Sequence, residues 1–219
     1  SFPVFFDHNA DGLKDLLVSS QGQFDSGTLN QISKIAYYEN TGTIANPEFT
    51  FITDDYQNIS SLGLGNSLVF YPTFGDLDND GDEDMILGEY TGYAYYIENT
   101  GGAGNNAIFN TYSVLTDNVG DPVFEGTFIY PQLVDLDRDG DLDLVNGKRN
   151  GKLTYFQNIG NASVPVFQEV TQNLGGVDVS EYWNIEGHSI PQFIDIEDEK
   201  QLILGSKTFY LHYYYNIDG

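Results

Sequence analysis

Cysteine is absent from the 219 residues, which excludes a disulfide framework and thiol chemistry and leaves the redox compartment open. Basic residues are almost as scarce: eight Lys plus Arg stand against 33 Asp plus Glu, for a formal net charge of −25. Nucleic-acid backbones are held by clustered cations, so a nucleic-acid partner is excluded, and an anionic membrane surface would repel the chain. The single basic cluster, GKRNGK at 147–152, reads as a polar turn. No apolar run approaches the roughly 18 residues needed to insert into a bilayer. Helical runs rich in alanine or leucine are also missing. The chain opens SFPVFF, without Met or a charged leader, and reads as a mature or excised segment whose signal peptide is gone.

What is present argues for an ordered all-β protein. Aromatics make up 15% of the chain, with 16 Tyr and 15 Phe, too many for a disordered acidic segment. Glycine is frequent at 24 residues, as expected of many tight turns between short strands.

An acidic stretch recurs. FFDHNADGLKDLLVSS starts at Phe5, FGDLDNDGDEDMILGE at Phe74 and LVDLDRDGDLDLVNGK at Leu133, and a worn fourth copy, FIDIEDEKQLILGS, starts at Phe193. Their first aspartates are Asp7, Asp76, Asp135 and Asp195, at spacings of 69, 59 and 60. Other features keep the same step. A Tyr-rich segment recurs as YYENTG, YYIENTG, YFQNIG and YYYNIDG, and a Phe-centred one follows as PEFTFIT, AIFNTYSV and PVFQEVT. Each repeat reads as four short antiparallel strands with the acidic loop between the first two, which is the blade of a β-propeller. A solenoid is the competing architecture, but its coils are usually much shorter than this period. The repeats fall at about 1–69, 70–128, 129–188 and 189–219, the last incomplete, within one propeller domain over 1–219. Four blades with a missing outer strand predict an arc of a larger ring, whose edge blades something else must cover.

The loops share the pattern D-x-[DN]-x-D-G-x-x-D. The expected metal ligands are Asp7, Asn9, Asp11 and Asp15 in repeat one, Asp76, Asp78, Asp80 and Asp84 in repeat two, and Asp135, Asp137, Asp139 and Asp143 in repeat three. The seventh position, Leu13, Asp82 or Asp141, is expected to supply its backbone carbonyl, and Glu83 to be solvated. Alternate oxygens on a tight loop can converge on one point, and the glycine at position six permits the sharp turn. Six to eight hard oxygens suit Ca²⁺, whereas softer metals would call for His or Cys. An EF-hand is excluded, because position twelve is Val18, Leu87 or Asn146 in place of Glu and a strand follows. Repeat four keeps Asp195 and Glu197 but is two residues shorter, lacks the glycine and turns apolar at its last ligand position. A plain hairpin without Ca²⁺ is predicted there.

These loops, with YYENTG and the P-x-F segment in phase, resemble FG-GAP or VCBS-type repeats, found in the integrin α-subunit propeller and in many secreted bacterial proteins. The resemblance implies a Ca²⁺-binding propeller, commonly of seven blades, with metal loops on the lower rim and ligands on the upper face. It implies a secreted or cell-surface setting and leaves the function open between adhesion, lectin-like binding and service to an enzyme.

No catalytic constellation is visible: G-x-S-x-G, H-E-x-x-H and a phosphate loop are all missing. His8, His188 and His212 fall in separate repeats, and His8 reads as a surface residue of its loop. GGAGNNAIF from Gly101 reads as a flexible loop, and the sequons at Asn58 and Asn161 are chance-level patterns. A protein or glycan partner is expected on the face opposite the loops, near Tyr182, Trp183 and His188, where exposed aromatics could stack on a sugar. The expected role is therefore a Ca²⁺-stabilised extracellular binding, adhesion or support module. The alternative is the propeller domain of a secreted polysaccharide lyase or hydrolase.

Overall fold

The computed structural model describes residues 2–25, 30–64, 68–180, 186–197, 199–215 and 217. They form a four-bladed, all-β propeller. Blade one is β1 (Phe2–Phe6), β2 (Asp15–Ser19), β5 (Ile35–Asn40) and β6 (Phe49–Thr53). Its insertion forms a separate ribbon of β3 (Gln23–Asp25) and β4 (Asn30–Ile32). Blade two is β7 (Phe70–Gly75), β8 (Asp84–Glu89), β9 (Ala94–Ile97) and β10 (Ser113–Val114). Blade three is β11 (Ile129–Val134), β12 (Asp143–Lys148), β13 (Leu153–Asn158) and β14 (Phe167–Thr171). Blade four has three described strands, β15 (Ile190–Ile196), β16 (Glu199–Gly205) and β17 (Leu211–Tyr215).

All pairings within the blades are antiparallel, and corresponding strands share one register. Pro3, Pro72, Pro131 and Pro191 occupy the same place in the first strand of each blade, opposite Val18, Leu87, Asn146 and Leu204. A first strand is hydrogen-bonded on one side only, so a residue without an N–H fits there. The four prolines line one central cavity, which places all four first strands around a common axis. One departure from the sequence pattern falls in blade two. AIFNTYSV makes only a bridge from Phe109 to Asn99 before the two-residue strand β10 pairs with Tyr95 and Tyr96.

The core lies between blades. Leu17, Ile35 and Tyr37 of blade one pack on Phe70, Met85 and Leu87 of blade two. Ile86 and Ala94 meet Ile129, Leu133 and Leu144 of blade three. Val145, Leu153 and Tyr155 meet Phe193, Leu202 and Leu204 of blade four. Each blade thus has a forward face, drawn from alternate residues of its second and third strands, that meets the backward face of the next. Glycine permits the closest approach: a Cβ on Gly147 would sit 1.9 Å from the carbonyl oxygen of Ser189, ahead of β15.

Candidate metal centre

Three eight-residue loops, 7–14, 76–83 and 135–142, join the first and second strands of blades one to three. Their sequences dictate one shape. Position four is left-handed in all three, at Ala10, Asn79 and Arg138, and so is position six, at Gly12 (φ 85°), Gly81 (φ 92°) and Gly140 (φ 98°). A φ above 80° disfavours a side chain, which explains the recurrent glycine. Aspartate side chains then bond forward to backbone N–H groups. Asp80 N donates to Asp78 Oδ1 at 3.2 Å and Asp82 N to Asp80 Oδ1 at 3.0 Å. The same pair of bonds recurs at Asp139 and Asp141 in the third loop. Gly81 N donates to Asp76 Oδ2 at 3.1 Å, as Gly12 N does to Asp7 at 2.9 Å.

This folding gathers carboxylates. One oxygen from each of Asp76, Asp78 and Asp80 lies within 4.8 Å of the others, and the same holds for Asp135, Asp137 and Asp139. Asp76 Oδ1 and Asp135 Oδ1 are buried and have no hydrogen-bond partner in the protein, as are Asp82 Oδ1 and Asp141 Oδ1. Like charge and burial leave their mark on protonation. Burial, then the Asp139 charge, pushes the Asp141 carboxyl up to about 6, and burial followed by Asp80 raises Asp78 and Asp82. Oxygens left without donors beside two further carboxylates fit a cation, and both triads can hold a metal ion. In the first loop the Asn9 amide takes a carboxylate's place and donates to Asp11 Oδ2 at 3.1 Å.

The ninth position lies under each loop. Asp15, Asp84 and Asp143 are fully buried, each with three donors. Oδ1 accepts the backbone N–H of Asn40, Asn99 or Asn158 at 2.7, 2.8 and 2.7 Å. Oδ2 accepts the hydroxyl of Tyr37, Tyr96 or Tyr155 at 3.0, 3.1 and 2.9 Å, and also the N–H of His8, Leu77 or Leu136. The Asn-x-Gly that closes each Tyr-rich strand belongs to the same device. Asn158 Oδ1 accepts Gly160 N at 3.0 Å and Val166 N at 2.9 Å, tying the third strand to the fourth. Burial pushes the Asp84 carboxyl up to about 6, against the stabilising bonds from Asn99 and Tyr96.

Repeat four has the predicted short hairpin, with Ile196 paired to Glu199. Its last ligand position needs correction, however. By strand register the counterpart of Asp143 is Gln201, buried and polar, and Tyr213 donates its hydroxyl to Gln201 Oε1 as Tyr155 does to Asp143. A count from Asp195 missed this because the shorter loop moves the register by two residues.

Four of the residues and segments named above make contacts of their own. Glu83 is paired with Lys14 at 3.0 Å, linking loops one and two. Asp82 contributes a buried side chain, whose Oδ2 accepts Gly102 N at 2.8 Å, so GGAGNNAIF is tied to loop two. His8 is half-buried, with Nδ1 2.9 Å from the Tyr56 hydroxyl and its ring edge-on to Tyr37 and Tyr56. Lys148 of the basic cluster ends β12 as a buried residue facing Glu125 at 3.7 Å.

Lys148 marks a second feature at the end of blade three away from the acidic loop. A cavity of about 480 Å³ is lined by Glu125, Thr127, Lys148, Arg149, Asn150 and Glu186, among others. Lys207 and Arg149 hold the Glu186 carboxyl down at about 2. Beside the cavity, His188 Nδ1 lies 2.6 Å from the Tyr130 hydroxyl, and the Phe128 ring meets the imidazole edge-on. Tyr182 and Trp183, expected in this region, lie outside the described residues.

Residues 7–87 match the family model of the FG-GAP-like repeat. That match spans loops one and two with the strands between them, while the strand register extends the same blade to residues 129–171. No curated protein and no solved structure is matched by the chain. Among the described residues, no helix is long and apolar enough to cross a membrane.

Proposed function

We propose that this FG-GAP-repeat propeller is a Ca²⁺-stabilised extracellular module that binds a partner through the face opposite its acidic loops. The observation that carries the metal reading is the pair of aspartate triads, each around a buried oxygen without a donor. The proposed ligands are Asp76, Asp78 and Asp80 with Asp84, and Asp135, Asp137 and Asp139 with Asp143. The carbonyls of Asp82 and Asp141 join them. Asp7, Asn9, Asp11, Asp15 and the Leu13 carbonyl form a third set with one carboxylate fewer. All donors are oxygens, the set Ca²⁺ prefers, and bound Ca²⁺ would offset repulsion among carboxylates fixed on one turn.

Extracellular modules bind Ca²⁺ at roughly 10⁻⁴–10⁻³ M, so sites of this class fill outside cells and stay empty at cytosolic concentrations. The partner reading rests on the cavity around Lys148, whose acid, base, amide and hydroxyl groups suit a hydroxyl-rich glycan. Calorimetric titration with Ca²⁺ tests the metal. Two or three sites are expected, and absence of binding at millimolar Ca²⁺ defeats the proposal. A glycan array with wild-type protein and Arg149→Ala tests the partner, since the reading requires a signal that the variant loses.

A further inference from the structure

The seam between blades two and three is apolar near the acidic loops and polar at its other end. Leu144 and Phe156 pack there on Ile86, Ala94 and Val123. Alternate residues of a strand share a face, so Asn146 and Lys148 follow Leu144 along β12. Thr154 pairs with Asn146 from β13, and Glu125 lies two residues beyond Val123. The other blades carry Val18, Leu87 and Leu204 at the place of Asn146. The polar group therefore belongs to this seam and not to the repeat.

Its hydrogen bonds are incomplete. Asn146 and Thr154 are fully buried. Both amide atoms of Asn146, the Thr154 hydroxyl and Glu125 Oε1 have no hydrogen-bond partner among the described residues. The Lys148 ammonium donates to the Gln172 carbonyl at 3.1 Å but stops 3.7 Å from the Glu125 carboxylate, beyond hydrogen-bond reach. These two side chains are only 8% and 7% exposed, yet both line the cavity of about 480 Å³. Burial raises the Glu125 pKa, against the Lys148 charge and the Thr154 and Asn146 side chains close by. Blade two closes the same place by itself. Glu89, the register equivalent of Lys148, accepts the Thr91 N–H at 2.8 Å and the Thr91 hydroxyl. A buried ion pair held apart beside orphaned amide and hydroxyl groups costs stability unless something supplies the missing bonds.

The outer cations of the cavity are already matched. Lys207 and Arg149 both bond the Glu186 carboxylate and hold it down at about 2, so it is ionised at every working pH. An acidic ligand would meet that carboxylate and, at longer range, the net charge of −25. A neutral hydroxyl suits the inner pair, because it accepts from an ammonium and donates to a carboxylate at once.

We propose that the cavity selects a neutral sugar, one hydroxyl of which lies between Lys148 and Glu125, accepting from Lys148 Nζ and donating to the Glu125 carboxylate. This rests on the glycan reading of the same cavity and adds to it the class of sugar and the two residues that discriminate.

A glycan array carrying matched pairs, in which a neutral residue is exchanged for the corresponding uronic acid, tests the class on wild-type protein. The neutral member should give the stronger signal, and an acidic member bound as well or better overturns the inference. That comparison does not depend on how any variant folds. The double variant Glu125→Gln/Lys148→Met tests the residues. It removes both charges together, a change that buried ion pairs tolerate far better than loss of one partner. Its melting midpoint should stay close to that of wild type while the signal from neutral glycans falls about tenfold or more. A folded double variant that binds like wild type overturns the inference, and if Arg149→Ala has lost the signal, the glycan reading of the cavity stands without it. Absence of signal from every glycan defeats that reading and this inference with it.

Discussion

Tyr155 donates its hydroxyl hydrogen to Asp143 Oδ2 at 2.9 Å, directly under the third acidic loop. The bond joins the third strand of the blade to the residue where the loop becomes the second strand, and it recurs from Tyr37 to Asp15 and from Tyr96 to Asp84. A carboxylate this deep is tolerable because three donors face it. Tyr155→Phe should cost about 1 kcal/mol, the net value of one such bond, and Asp143→Ala about 3 kcal/mol, because two N–H groups and a hydroxyl lose their acceptor. Urea unfolding of the two variants checks the ordering, and equal losses would contradict it.

Metal removal provides the second prediction. At free Ca²⁺ ten times the dissociation constant, each occupied site adds about 1.4 kcal/mol, which for a domain of this size raises the melting midpoint by about 3–6 °C. Melting in Ca²⁺ and in EGTA checks this, and equal midpoints would refute Ca²⁺ stabilisation. Asp80→Ala should remove one site from the titration and leave the third loop's site intact.

Two glycines at equivalent register give a third prediction. Gly147→Ala should destabilise by about 2–3 kcal/mol, because its Cβ would lie 1.9 Å from the Ser189 carbonyl oxygen and the blades would have to part. Gly205→Ala, with its nearest contact at 3.7 Å, should be close to neutral. Thermal unfolding of both variants at low protein concentration checks the contrast.

Protonation of His188 gives the pH dependence. Burial, followed by the nearby Lys207 charge, lowers its pKa from the ordinary 6.5, against the pull of Glu186. A histidine with a depressed folded pKa binds more protons when unfolded, so its contribution is present above pH 6.5 and declines as pH falls through the folded pKa. Histidine resonances followed by NMR should place His188 below the free value. In His188→Gln, the fall in stability from pH 7 to pH 5 should be shallower than in wild type.

Much of the fold and the centre of the candidate metal site could be read from residues alone. The period of about sixty, the glycine at position six and the alternating aspartates force one loop shape, because a left-handed turn admits few residues and oxygens two apart converge there. Asp76, Asp78 and Asp80 accordingly fall together, as do Asp135, Asp137 and Asp139. The roles of His8, Glu83 and Lys148 were illegible for a common reason. Each is decided by a residue far away in sequence: Tyr56, Lys14 and Glu125. Gln201 was missed because strand register, rather than distance from the first aspartate, fixes which residue faces the tyrosine.

The amino-acid sequence by itself determined the blade, its loop and the chemistry of the acidic cluster, all local consequences of turn geometry and residue spacing. Only the tertiary structure decided which apolar faces are covered. Phe5, Leu133 and Phe193 hold equivalent places in their strands, yet Phe5 alone of the three is exposed, because burial depends on whether another blade lies against it.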